Sequence, residues 1–320
     1  MRDLLREELP LALPVLLLLA LVPFVATESY IRHLFIIAMV YAIVASNWDL
    51  SLGYGGIFNF AHLSFFGVGA YTSAILSKTL EITPWLSVPA SAFTAMAAAA
   101  LVCLPVLRLQ GIYIILVTFA FAQLVLQLIL SQSDITGGSR GMVLLPPLEI
   151  GDINFARDGK FGYYFVALGL LAVSTLTMRW LVRSAFGRGV IAMRDDPDYA
   201  AARGLSVARQ RLMTMILSAA FTGVAGGFYA TYLRVASTKV FEFGILSLVL
   251  SMLLVGGINT VYGPIVAAFA LTFLTEFMVD LGPWRFLIIA ALMVLVLLVY
   301  PGGLWSIFTS LAPKRKSRRR

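Results

Sequence analysis

Few side chains in this sequence can do chemistry, and those that can are grouped. Residues 53–71 read GYGGIFNFAHLSFFGVGAY and set Asn59, His62 and Ser64 among Gly53, Gly55, Gly56, Gly67 and Gly69. Buried polar side chains in an apolar run must face protein or water. Asn59 and His62 are three apart, which puts them on one face of a helix. The glycines let a second backbone approach closely, or let the helix break and free its amides for a ligand carboxylate. The run is therefore a polar path or a packing seam, and residue types alone leave both readings open. Gln123 and Gln127, four apart, pose the same choice in a later apolar run. Glu276 and Asp280 share a helix face close to Arg285, which reads as an ion pair near the end of an apolar run. Gly223 and Gly227 form a small-xxx-small face and read as packing.

A second grouping is basic. Residues 183–211, RSAFGRGVIAMRDDPDYAAARGLSVARQR, interrupt the apolar pattern with arginines at 183, 188, 194, 203, 209 and 211. A short helix starts inside it. Asp196 suits the N-cap, Pro197 the first helical position, and Asp198 the positive end of the dipole. Asp195 is the alternative cap. The helix carries Tyr199, Ala200, Ala201, Ala202 and Arg203 and stops at Gly204, where the chain can turn out. Such an element is either a plain connection or a surface that another protein grips.

Catalytic patterns are missing. The two histidines, His33 and His62, are far apart, and no His-Glu-x-x-His metal pattern occurs. No phosphate-cradling GxxxxGK[ST] loop occurs; the Gly159–Lys160 pair is followed by Phe161. No serine-centred nucleophile motif is present. The single cysteine, Cys103, lies in an apolar run and cannot pair within the chain. No cofactor and no metal is expected.

Composition fixes what must position these groups. Apolar residues make up 60% of the 320, charged residues 12%, and the mean hydropathy is +0.91. Soluble domains are nearer half apolar and a quarter charged. The expectation is an all-α polytopic membrane protein with about ten spans of the roughly 20 residues a bilayer requires. They fall at 9–26, 31–50, 56–77, 85–107, 110–131, 162–182, 212–233, 241–257, 261–281 and 284–303, some broken or re-entrant. Residues 1–313 form one membrane domain, and 314–320 a basic tail. The first span resembles a signal peptide but lacks a clear cleavage site, and is read as retained.

Basic residues stay on the cytoplasmic side. With the N-terminus inside, six spans place residues 183–211 inside, and four more place the tail inside. The net charge of +8 is thereby absorbed by orientation and gives no reason to invoke nucleic acid. The tail also suits anionic lipid. Residues 132–161 form an external loop of mixed charge. Tyr163 and Tyr164 are expected at the outer interface, and Arg179 and Trp180 at the inner one. Gly55, Gly56, Ile57 and Asn59 are echoed by Gly256, Gly257, Ile258 and Asn259, which hints at a pseudo-repeat of two halves.

Several longer stretches resemble permease subunits of branched-chain amino acid ABC transporters of the LivM type. They are GYGGIFNFAHLSFFGVGAYTSA at 53–74, LQGIYIILVTFAFAQ at 109–123, DITGGSRGM at 134–142, AMRDDPDYAAARGLSVARQR at 192–211 and GGINTVYGPIVAA at 256–268. The resemblance runs from about Ala38 to Gly303. It implies two cytoplasmic ATPase subunits, a second permease of the related LivH type and an external binding protein, in a bacterial inner membrane. Asp195, Asp196, Ala200, Ala201, Arg203 and Gly204 fall on the family's ATPase-coupling motif. Asp198-Tyr199 departs from that motif's usual acidic-then-Ala opening. Asn59, His62, Ser64, Gly55, Gly56, Gln123, Gln127 and Asn259 become candidates for the translocation path. The implied substrate is leucine, isoleucine or valine, or a related amide or urea. A stand-alone ion-coupled carrier is the alternative, but it wants deep charges or Na⁺ sites that are scarce here. A membrane enzyme is a third.

Overall fold

The structure is a computed structural model and describes residues 18–25, 28–151, 153–156, 159–300 and 302–304. The expectations for residues 9–17 of the first span and for the basic tail lie outside the described residues. Residues 18–25 form α1. Then follow α2 (Ser29–Asp49), α3 (His62–Lys78), α4 (Pro84–Val106), α5 (Ile112–Ser131) and the single turn α6 (Ser133–Thr136). The second half holds α7 (Phe161–Arg183), α8 (Ala185–Asp195), α9 (Pro197–Ala202), α10 (Val207–Leu233), α11 (Phe243–Gly256), α12 (Gly263–Phe277) and α13 (Trp284–Val299). Among the described residues five stretches are long and apolar enough to cross a membrane: Ser29–Tyr54, Pro84–Val106, Ile112–Ser131, Phe161–Arg183 and Val207–Leu233. The apolar helices α11, α12 and α13 have only 14, 15 and 16 residues. At about 1.5 Å per residue each falls short of a bilayer core about 30 Å thick.

Burial ranks the helices. In its most apolar window α2 is 83% buried, whereas α5 and α7 are 28% buried, so α2 is central and the other two are peripheral. α10 packs tightly on α3 and α4 because small residues line the seams. A methyl group at Gly226 would land on the Phe66 carbonyl oxygen, and one at Gly69 on the Gly223 backbone. Ser91 Oγ donates to the Gly223 carbonyl at 2.9 Å. Close backbone approach and interhelical hydrogen bonds are what hold helices together where lipid is as apolar as leucine.

The helices sort their ends consistently. At one end Arg211 donates to the Leu109 carbonyl at 3.3 Å, and Arg194 donates to the Gly53 carbonyl at 3.2 Å. Gly257 there lies against Gly302, where the chain leads to the tail. At the other end Lys78 reaches the Val143 carbonyl at 2.6 Å, and Arg32 lies 4.1 Å from the centre of the Phe161 ring. The 183–211 segment, the 107–111 turn and residues 302–303 therefore share one end, and the 132–161 loop occupies the other.

That loop departs from a purely helical plan. Short strands β1 (Met142–Val143) and β4 (Val235–Ala236) pair antiparallel, as do β2 (Glu149–Ile150) and β3 (Ile153–Asn154). Leu145, Leu148 and Phe155 are buried, so the loop folds back over the helix ends. This corrects the reading of Tyr163 and Tyr164 as interfacial side chains. Both are buried; Tyr163 Oη accepts from the Leu148 amide at 3.0 Å, and Tyr164 Oη donates to the Leu19 carbonyl at 2.6 Å. Lys160, ahead of α7, sits 6.0 Å from the Tyr232 ring, and partial burial with Arg32 nearby holds its ammonium below its usual range. Among the described residues the ion pair expected of Glu276 and Asp280 with Arg285 does not form: Asp280 lies beyond α12 in a separate turn, Glu276 accepts from the Tyr30 hydroxyl, and Arg285 lies over Phe286.

Candidate functional site

The 183–211 segment folds as an arm with two helices, not the single one read from its sequence. Ser184 caps α8 by accepting from the Gly187 amide at 3.3 Å. Gly187, Gly189, Val190 and Met193 turn one face of α8 to the body. Gln210 Nε2 then donates to the Phe186 carbonyl at 2.7 Å and fixes α8 to the start of α10.

The second helix forms as its residue types require. Asp196 Oδ1 accepts from the Tyr199 amide at 2.9 Å, Pro197 opens the helix, and Gly204 leaves it at φ +85°. The cap satisfies a backbone donor that a helix start leaves orphaned, and glycine carries the left-handed turn without a Cβ clash. Ala200 faces inward at 4% exposure, while Tyr199, Ala201, Ala202 and Arg203 face out. Arg203 donates from Nε to the Tyr199 hydroxyl at 3.2 Å, and its guanidinium lies 5.5 Å from that ring. An aromatic knob with a cation folded on it thus projects from the arm. Asp195, the alternative cap, instead accepts from Arg194 at 2.7 Å.

Beneath the arm the chain breaks twice. α2 ends in a π-helical turn, Leu50–Tyr54, and residues 56–61 are not helical before α3 starts at His62. Asn59 and His62 therefore do not share a helix face, a correction explained by low helix propensity at Gly53, Gly55 and Gly56, the last at φ +63°. The other break lies between α11 and α12, with Gly257 at φ +106° and Asn259 at φ +64°. The two echoed glycine runs meet here. Asp49 accepts from the Asn259 and Thr260 amides at 3.0 and 3.1 Å, and Tyr54 Oη donates to the Asn259 carbonyl at 2.8 Å. Arg194 Nη1 donates to Asn259 Oδ1 at 2.6 Å and to the Gly53 carbonyl at 3.2 Å.

Asp49 and Tyr54 were missed from sequence, and Arg194 was counted only as one of the arm's charges. A carboxylate at position 49, at the end of an apolar span, was the available signal for the first.

The path candidates fall into separate places. Gly55, Gly56 and Asn259 lie at the arm end. Asn59, His62 and Ser64 are fully buried deeper in the body. There the Trp48 ring stacks on His62 at 5.4 Å, and Trp48 Nε1 donates to the Asn59 carbonyl at 2.8 Å. His62 Nε2 is 3.0 Å from Thr222 Oγ1. Among the described residues Asn59 Nδ2 and Ser64 Oγ have no hydrogen-bond partner. Gln123 and Gln127 are exposed on the outer face of α5. Gln123 shares a groove with Phe60, Leu63, Phe119, Phe241 and Phe243. Among the described residues no group of His, Cys, Asp and Glu is arranged to hold a metal ion.

Comparison with known proteins places this geometry in context. Residues 30–298 match the family model described as the permease component of branched-chain amino acid transport systems. The chain is 30% identical over 316 residues to the high-affinity branched-chain amino acid transport system permease protein LivM of Escherichia coli (strain K12), covering 92% of this chain and 74% of that protein. It is 30% identical to the LivM of Salmonella typhimurium, over 83% of this chain and 68% of that one. It is also 26% identical to LivH of the same E. coli strain, over 82% of this chain and 90% of that protein. No solved structure matches. A helical membrane body with an arm at one end, matched from residue 30 to residue 298, belongs to the family of permease components of branched-chain amino acid transport systems.

Proposed function

We propose that the chain is one of two membrane gates of an ATP-driven importer for leucine, isoleucine and valine. Two cytoplasmic ATP-binding-cassette subunits would grip the arm, a LivH-type relative would be the second gate, and an external binding protein would deliver substrate. The observation that carries this reading is α9, a capped helix held outside the helical body with Tyr199 and Arg203 facing outward. A handle of that kind serves a partner that moves. No residue does covalent work: ATP draws the partner subunits together, the arm follows, and the helices rock between outward and inward access. The arm and both termini are assigned to the cytoplasm of a bacterial inner membrane by the excess of Arg and Lys in the arm and tail.

Asn59, His62 and Ser64 are assigned to the polar interior of the path because they are fully buried polar side chains, with Asn59 Nδ2 and Ser64 Oγ unpartnered among the described residues. Gln123 and Gln127 stand on the exposed face of α5 beside Leu124 and Leu128. Amides are costly against lipid, so this face is assigned to the path or to the second permease. An ion-coupled carrier is disfavoured, since the Asp49 carboxylate is occupied by two backbone amides.

Sidedness and docking can be tested together. Tyr199→Cys should react with a membrane-impermeant maleimide in inside-out vesicles and not in right-side-out ones; the native Cys103 is buried. The ATPase subunit bound to the complex should protect it. Labelling from the outside would overturn the assignment.

A further inference from the structure

We propose that Asp49, Arg194 and Asn259 form a transmission joint through which the arm shifts both glycine breaks as one unit. The inference rests on the importer reading and names residues that couple the arm to the gate. Arg194 is the last arginine of α8, and its guanidinium reaches both breaks at once. One bond goes to the Gly53 carbonyl in the first break and one to the Asn259 side chain in the second. Asp49 also binds the second break, through two amides, although it belongs to the helix that leads into the first. A displacement of α8 therefore cannot reach one break without the other.

The glycines of the first break fit this role. A methyl group at Gly53 would land on the Asp49 carboxylate, and one at Gly56 would come within 2.7 Å of Arg194 Cγ. Both glycines leave the room that the two charged side chains occupy. The second break turns through positive φ at Asn259 (+64°) and Gly257 (+106°), residue types that adopt this region most readily, so its chain path is set by local backbone choice and tied down by the Asp49 and Arg194 bonds. Gly257 also lies against Gly302, so the joint touches the segment after α13. Energetic coupling between sites needs such a physically connected element with more than one arrangement.

Two measurements test the joint. The first is amide exchange of the full chain in detergent, before and after Arg194→Gln. Exchange at Gly55 and Ile57 in one break, and at Asn259 and Thr260 in the other, should rise together by roughly tenfold. Arg194→Lys should rise less, because an ammonium can still reach one acceptor. Asn259→Gly, which tolerates the left-handed backbone but lacks the side-chain oxygen, should behave like Arg194→Gln. The second is ATP hydrolysed per leucine taken up by the reconstituted complex. It should rise about tenfold in Arg194→Gln and Asn259→Gly, and less in Arg194→Lys.

Unchanged exchange at all four amides, or exchange altered in one break only, would overturn the joint. So would hydrolysis and uptake falling in equal proportion. The exchange measurement requires no transport. A wild-type complex that failed to move leucine would thus sink the importer reading while the joint was still judged on its amides.

Discussion

Asp196 and Gly204 bracket the helix proposed as a handle, and each acts through backbone chemistry. The Asp196 carboxylate takes the Tyr199 amide, and Gly204 supplies a left-handed turn that a side chain would strain. Removing the cap in Asp196→Ala should destabilise α9 by about 1 kcal/mol. Exchange at the Tyr199 amide should rise, and ATP-driven uptake should fall while the chain still inserts in the membrane. Uptake at the wild-type rate would mean that α9 need not be folded to work. This part of the site was legible because cap, proline and glycine are local signals, each read within nine residues of sequence. Asp49, Tyr54 and Arg194 were not, since their partners come from breaks and helices remote along the chain. The partners of Asp49, for instance, are Asn259 and Thr260. Hydropathy ranks such residues as charges to be explained away by the nearest span end. Only the fold shows what they touch.

Helices were placed well by apolar run length and less well at their ends. The expected run 85–107 corresponds to Pro84–Val106, and 162–182 to Phe161–Arg183. The run 56–77 starts six residues late, at His62, because the preceding segment leaves the helix after its glycines. α8 was overlooked since Gly187 and Gly189 weaken its local helix signal, whereas packing of Val190 and Met193 on the body supplies what propensity lacks. The Gly223–Gly227 seam was read correctly as packing, but its partner helices were not foreseeable. At this scale the seam between α3 and α10 offers a sharp test. Gly226→Ala would put a methyl group on the Phe66 carbonyl oxygen and should destabilise the fold by about 1–3 kcal/mol. The melting temperature in detergent should drop. Gly169→Ala, on an exposed face of α7 with nothing near its would-be methyl, should leave it unchanged or raise it. Equal effects from the two would show that the close approach carries no special weight.

The whole molecule reads as a central helix, α2, wrapped by packed neighbours and finished differently at its two ends. One end is sealed by the folded 132–161 loop, with Leu145 and Leu148 tucked beneath it. The other gathers the arm, both breaks and the segment after α13 at one place. This asymmetry suits a gate operated from a single side, and it was visible in outline as an excess of arginine in one long interruption. The exposed face of α5 carries two glutamines among large apolar side chains. Both features suit the proposed work of this chain alongside partner subunits. The decisive measurement is uptake of labelled leucine into proteoliposomes, with the purified chain alone under proton and sodium gradients, and with its permease and ATPase partners, the binding protein and ATP. No uptake is expected from the chain alone, and ATP-dependent uptake from the full complex. Gradient-driven uptake by the single chain would contradict this.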